Sequence, residues 1–106
     1  MEEMETICMQ IISNAGTARS LIIEALQEAR EGNFLEGEAK MDEANKFFVE
    51  AHKSHGQLLQ KEAGGEKVPF SLLFMHAEDQ LMSTETIKHL SKEMFSMHKK
   101  MEGINE

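Results

Sequence analysis

A single proline, Pro69, and two short glycine-bearing breaks are the main interruptions in a chain of 106 residues. The first break is Glu31-Gly32-Asn33-Phe34, which reads as a helix stop followed by a new N-cap. The second is Ala63-Gly64-Gly65-Glu66-Lys67-Val68-Pro69. Its two glycines can take left-handed conformations, and proline suits the first turn of a following helix. Three long helices are therefore predicted, at about 4–31, 34–62 and 69–102. No strand pattern, internal repeat or low-complexity tract competes with them. The expected fold is all-α: one domain over residues 1–106, an antiparallel three-helix up-down bundle.

The first segment places Met4, Ile7, Cys8, Ile11, Ile12, Ala15, Ala18, Ile22, Ala25, Leu26 and Ala29 in the i, i+3, i+4 rhythm of one buried face. The second repeats it more loosely through Met41, Ala44, Phe48, Ala51, His55, Leu58 and Leu59. In the third, Leu73, Ile87, Leu90, Met94, Met97 and Met101 form the predicted buried stripe. Further apolar residues lie off these stripes: Leu21, Ile23, Phe70, Phe74, Met75, Leu81 and Met82. Helices of this length make a thin bundle, and a helix apolar nearly all round expects to be buried nearly all round. Self-association is the expectation.

Charge narrows the partners. Lys plus Arg number 11 against 19 Asp plus Glu, a formal charge of -8. A nucleic-acid binder that tracks phosphates needs a basic face, and so does docking on anionic lipid. The lone Cys8 excludes an intrachain disulfide framework and fits a reducing cytoplasm. No apolar run approaches the roughly 20 residues of a membrane span, and the acidic start is unlike a secretory signal.

The most informative stretch is Phe70-Ser71-Leu72-Leu73-Phe74-Met75-His76-Ala77-Glu78-Asp79-Gln80-Leu81-Met82-Ser83. At about 100° per residue, His76 falls on the predicted stripe, with Gln80 and Ser83 close to it and Asp79 roughly 60° aside. Unpaired polar groups buried there would cost on the order of 1–3 kcal/mol each. Either His76 is a structural histidine hydrogen-bonded in a crevice, or its imidazole is a nucleophile, base or ligand. Metal binding is a rival, since His52 and His55 share one helix face, as do His76 and Asp79. Asp79 either accepts a hydrogen bond from a neighbouring helix or meets copies of itself, which would demand a cation or shared protons. Gly16 costs about 1 kcal/mol relative to Ala, and close approach of another helix is the expected reason for it. Arg19 reads as a surface ion pair of little weight.

Three blocks, taken together, resemble the lactose/cellobiose-type IIA components of the sugar phosphotransferase system. They are Ala15-Gly16-Thr17-Ala18-Arg19-Ser20, then Ala51-His52 with Leu58-Leu59-Gln60-Lys61-Glu62-Ala63, then Ser71 through Met82. The resemblance covers nearly the whole chain, and its last block is the most specific. It implies that His76 takes a phosphoryl group from the phosphocarrier HPr and passes it to a cysteine of the cognate IIB protein or domain. IIB then phosphorylates a β-linked disaccharide (lactose, cellobiose or chitobiose class) carried by the membrane IIC component, which the chain meets only indirectly. It also implies a homotrimer in which three copies of Asp79 hold a divalent cation such as magnesium on the three-fold axis.

Two departures from the family pattern stand out. Where the family commonly reads His-Ala-Gln-Asp-His, this chain has His76-Ala77-Glu78-Asp79-Gln80; where Gln-Thr is usual on the second helix, it has His55-Gly56. Transfer between nitrogens needs a neutral ring nitrogen aimed at phosphorus and donors around its oxygens. Gln80, Ser83, His52 and His55 are the candidate phosphate contacts. No Lys or Arg lies within two turns of His76 in sequence, so a weakly held phosphoryl group is expected. The alternatives are a non-enzymatic metal-binding helical assembly protein and a two-component phosphorelay module. Against the latter, His76-Ala77-Glu78-Asp79-Gln80 has neither the Lys nor the Gly that such modules place near their histidine.

Overall fold

The structure is a computed structural model that describes residues 2–68 and 71–103. It contains α1 (Glu2–Arg30), α2 (Phe34–Ala63) and α3 (Leu72–Met101). Cross-helix pairs fix their directions. Lys61 near the end of α2 meets Glu3 at the start of α1, and Lys40 meets Glu24 at 3.0 Å, so α2 returns antiparallel to α1. Lys99 near the end of α3 meets Glu38 early in α2 at 2.7 Å, so α3 runs antiparallel to α2 and parallel to α1. The up-down bundle of the sequence reading is present, as a rod of 54 × 19 × 19 Å.

Both predicted breaks work through backbone chemistry. Gly32 has φ +83°, and around it Gly32 N–H donates to Ala29 and Asn33 N–H to Glu28 at 3.0 and 2.8 Å. Gly65, at φ +95°, repeats the arrangement through Glu62 and Lys61. These paired bonds satisfy carbonyls that a helix end leaves free. Only the second glycine of the Gly64-Gly65 pair is left-handed; Gly64 has φ -81°. Asn33 occupies the N-cap of α2 without a side-chain capping bond. α3 begins three residues later than predicted, because Ser71 takes an extended conformation and its Oγ accepts from Phe74 N–H at 3.0 Å. The predicted role of Pro69, and the placement of Phe70, lie outside the described residues.

α1 is the hub. Its predicted stripe is buried apart from Met4, Ile12 and Leu26, which are half-buried, and Ile11, Ala15, Ala18 and Ala25 are fully enclosed. α2 and α3 each pack mainly on α1 and meet one another more narrowly, chiefly where Phe34 stands edge-on to Phe95. On α2 the buried residues are Gly37, Ala44, Phe48, Ala51, Ser54 and Leu58, while predicted Leu59 is exposed and His55 half-buried. On α3 the sequence reading chose the wrong face. Leu73 and Ile87 are half-buried, but Leu90, Met94, Met97 and Met101 are exposed, and the buried residues are Ala77, Leu81, Thr84, Ser91 and Phe95. Small side chains let α3 approach α1 closely: Thr84 Oγ1 donates to the Ala15 carbonyl at 3.3 Å. The large flexible residues that dominate a hydrophobicity count face outward.

Gly16 also departs from expectation. A Cβ there would meet nothing within 4 Å, so no helix of the same chain approaches it. The glycine that permits close approach is Gly37, whose missing Cβ would stand 2.8 Å from Phe95 Cε2 and 3.1 Å from the Ala25 carbonyl oxygen.

Candidate functional site

The block around His76 lies in the first two and a half turns of α3, a helix held in register by the Ser71 cap and by Ala77, Leu81 and Thr84 against α1. Packing fixes which way each side chain leaves the helix. His76 is exposed. It is therefore neither the crevice histidine nor the buried one that the stripe suggested. Gln80 and Ser83, on nearly the same line, are half-buried towards α1, and Asp79 is exposed on the outer face.

Two hydrogen bonds tie this turn to the rest of the bundle. Arg19 Nη1 on α1 donates to Gln80 Oε1 at 2.7 Å. His55 Nε2 on α2 donates to Glu78 Oε1 at 2.5 Å, with the two side chains 16% and 30% exposed. The carboxylate can only accept when ionised, so the proton of this bond belongs to the imidazole. Glu78 points roughly 200° away from His76 around the helix. His55 is thereby drawn to the opposite side of α3 from His76. His52 is exposed and lies beside the Phe48 ring, 5.9 Å between centroids. Of the four candidate phosphate contacts, the single chain aligns Gln80 and Ser83 with His76 and turns His55 elsewhere.

The metal rival required the His52–His55 and His76–Asp79 pairs to converge. Among the described residues no group of three His, Cys, Asp or Glu side chains is placed to hold an ion. Asp79 makes no ion pair among them either. Cys8 is buried beneath the same region, and burial, then the Glu78 carboxylate, pushes its thiol up from the ordinary value. That leaves it protonated and inert.

Sequence reasoning missed Arg19. Searching for cations within two turns of His76 along α3 could not find a guanidinium that crosses from α1. The signal available was its place in the Ala15-Gly16-Thr17-Ala18-Arg19-Ser20 block, on the edge of α1 beside α3.

Comparison with known proteins decides the family. The model of the phosphotransferase-system lactose/cellobiose-specific IIA subunit matches residues 6–99. The chain belongs to that family. The oligo-beta-mannoside-specific EIIA component of Bacillus subtilis is 47% identical over 95 residues, covering 90% of this chain and 86% of the relative. The crystal structure of a cellobiose-specific enzyme IIA from Bacillus anthracis superposes with a TM-score of 0.92 at 41% identity, over 96% of this chain and 94% of that one. The IIA(chitobiose) subunit in its solution complex with HPr, from the Escherichia coli phosphotransferase system, gives 0.82 at 35% identity over 96% and 99%. The chain is a lactose/cellobiose-type IIA component of the phosphotransferase system.

Both departures from the family pattern acquire a structural meaning as a IIA chain. His55 and Glu78, each standing where the family commonly has glutamine, are bonded to each other. Gln80, where histidine is common, is the residue that receives Arg19.

Proposed function

We propose that His76 is the phosphorylated residue, accepting its phosphoryl group from HPr and passing it to a cysteine of the cognate IIB. The observation that carries this reading is the exposure of His76 in the second turn of a well-anchored helix, inside the block most specific to the family. A donor protein must bring phosphorus within about 3–3.5 Å of the attacking nitrogen, which an enclosed imidazole would forbid. The nitrogen lone pair forms the new N–P bond while the donor's P–N bond breaks, its electrons returning to the donor histidine. If each ring keeps the proton on its other nitrogen, no further proton moves. Gln80 and Ser83 lie on the His76 side of α3, where they can donate to the phosphoryl oxygens.

The working unit we propose is a homotrimer. Leu72, Met75, Met82, Leu90 and Met97 are exposed on one face of α3, and Asp79 falls within about 60° of each of them. An exposed apolar face of this extent marks an association surface. Copies meeting on it would bring Asp79 carboxylates together, and like charges at close range call for a cation. The three Asp79 side chains would hold a divalent ion such as magnesium, which would neutralise their repulsion. Hard oxygen ligands suit it. His76 lies roughly 60° from Asp79 at the edge of this face, where protein partners can reach it. The cargo is a β-linked disaccharide of the lactose, cellobiose or chitobiose class, handled in the cytoplasm by IIB and the membrane IIC component. Among the described residues of this chain, no helix is long and apolar enough to cross a membrane.

Incubation with enzyme I, HPr and radiolabelled phosphoenolpyruvate tests the carrier role: an acid-labile label is expected on the wild type and none on His76→Ala. Label that survives His76→Ala overturns the assignment. Asp79→Leu and Asp79→Asn should abolish divalent-cation binding, and unchanged binding in both would remove Asp79 as the ligand.

A further inference from the structure

We infer that Arg19 is the anchor for the phosphoryl group on His76, an inference that rests on His76 being the phosphorylated residue. The Arg19 guanidinium is half-buried and held by one hydrogen bond, Nη1 to Gln80 Oε1 at 2.7 Å. Gln80 follows His76 by four residues, so the two side chains are neighbours on one helical face. Long helical side chains lean towards the N-terminus, which carries the Gln80 amide over the turn that bears His76. The guanidinium is therefore held on the His76 side of α3 although α1, not α3, carries it.

Its charge is also free. Among the described residues no carboxylate lies within ion-pair distance of Arg19, whereas Arg30 pairs with Glu31 at 3.7 Å. In a chain with 19 acidic residues, an unpaired half-buried arginine is poised for an anion that arrives later. Gln80 orients the cation without cancelling it, which a carboxylate at that position would do. A guanidinium offers five donors in a rigid fork, so one bond to Gln80 leaves others for two phosphoryl oxygens. Gly16, three residues earlier on the same edge of α1, leaves empty the space that a Cβ would fill. Arg19 thus supplies the cation missing from the sequence around His76. It takes no proton and forms no covalent bond; it neutralises the oxygens while His76 holds phosphorus.

The test compares wild type, Arg19→Met, Arg19→Lys and Gln80→Glu in the labelling system, after circular dichroism shows that each folds. Two quantities are read: the equilibrium of phosphoryl groups between HPr and the IIA chain, and the hydrolysis rate of the phosphohistidine. Arg19→Met should shift the equilibrium towards HPr on the order of ten- to a hundredfold and hasten hydrolysis, since charge-assisted hydrogen bonds are lost. Arg19→Lys, with the charge but not the fork, should fall between, and Gln80→Glu should move in the direction of Arg19→Met. A wild type that labels on His76, with Arg19→Met matching it in both quantities, overturns the role of Arg19 alone. Should Arg19→Met fail to fold, equality of Arg19→Lys with the wild type does the same. A wild type that takes no label, or label that persists in His76→Ala, overturns the phosphocarrier reading instead.

Discussion

Replacing Gly37 by alanine pits helix propensity against packing, and the geometry decides between them. Alanine in place of glycine inside a helix gains about 1 kcal/mol where space allows. At Gly37 the new methyl would stand 2.8 Å from Phe95 Cε2, 3.1 Å from Cζ and 3.1 Å from the Ala25 carbonyl oxygen. Phe95 cannot easily yield: it is buried, edge-on to Phe34 at 5.7 Å. The oxygen belongs to the backbone of α1. Overpacking of this kind costs about 1–3 kcal/mol, so the net change is a loss of about 0–2 kcal/mol. Gly56, also on α2, is the control, because its Cβ would meet nothing within 4 Å. Gly56→Ala should gain about 1 kcal/mol, leaving the two variants about 1–3 kcal/mol apart. Urea unfolding followed by circular dichroism, at one fixed protein concentration so that any self-association contributes equally, measures the gap. Gly37→Ala as stable as Gly56→Ala would refute the reasoning. If Phe95 is the obstacle, adding Phe95→Leu should cost Gly37→Ala less than it costs the wild type.

Thr84→Val keeps the shape of a fully buried side chain but removes its bond to the Ala15 carbonyl, and should lower unfolding free energy by about 0.5–1.5 kcal/mol. A double-mutant cycle on His55→Gln and Glu78→Gln should show a coupling of about 0.5–1 kcal/mol, with the double variant more stable than the single changes predict; additivity would mean the bond contributes nothing. Cys8 should react with iodoacetamide far more slowly in the native protein than in urea, and equal rates would contradict its burial. Because the Cys8 value is raised on folding, its contribution to stability is present below the ordinary value of 9.0 and is lost as pH rises through the raised one, which alkaline unfolding of Cys8→Ala against wild type measures.

The helices were legible because Gly32, Gly65 and the periodicity of α1 act locally, within a turn or two of chain. The face of α3 was not. Hydropathy alone ranks Met94, Met97 and Met101 above Ala77, Thr84 and Ser91, yet distance of approach to α1 selects the small residues for the core. In the single chain these methionines are exposed, and only the proposed association of copies would cover them. The same limit explains the site. His76 was found because its block is contiguous, whereas Arg19 and the His55–Glu78 bond join residues separated by 61 and 23 positions respectively. No spacing rule along one helix reaches so far. Gly16 misled because a glycine in a helix signals missing volume without saying whose volume it is.

The sparse contact between α2 and α3 bears on how such chains can change over time. Most positions on the two helices answer to α1 and can accept substitutions independently of each other, the Gly37–Phe95 contact being an exception. Where a bond does cross between them, as at His55 with Glu78 and at Lys99 with Glu38, either change alone leaves an ill-matched partner behind. Replacement of 55 and 78 together is then the route that leaves neither side chain unmatched.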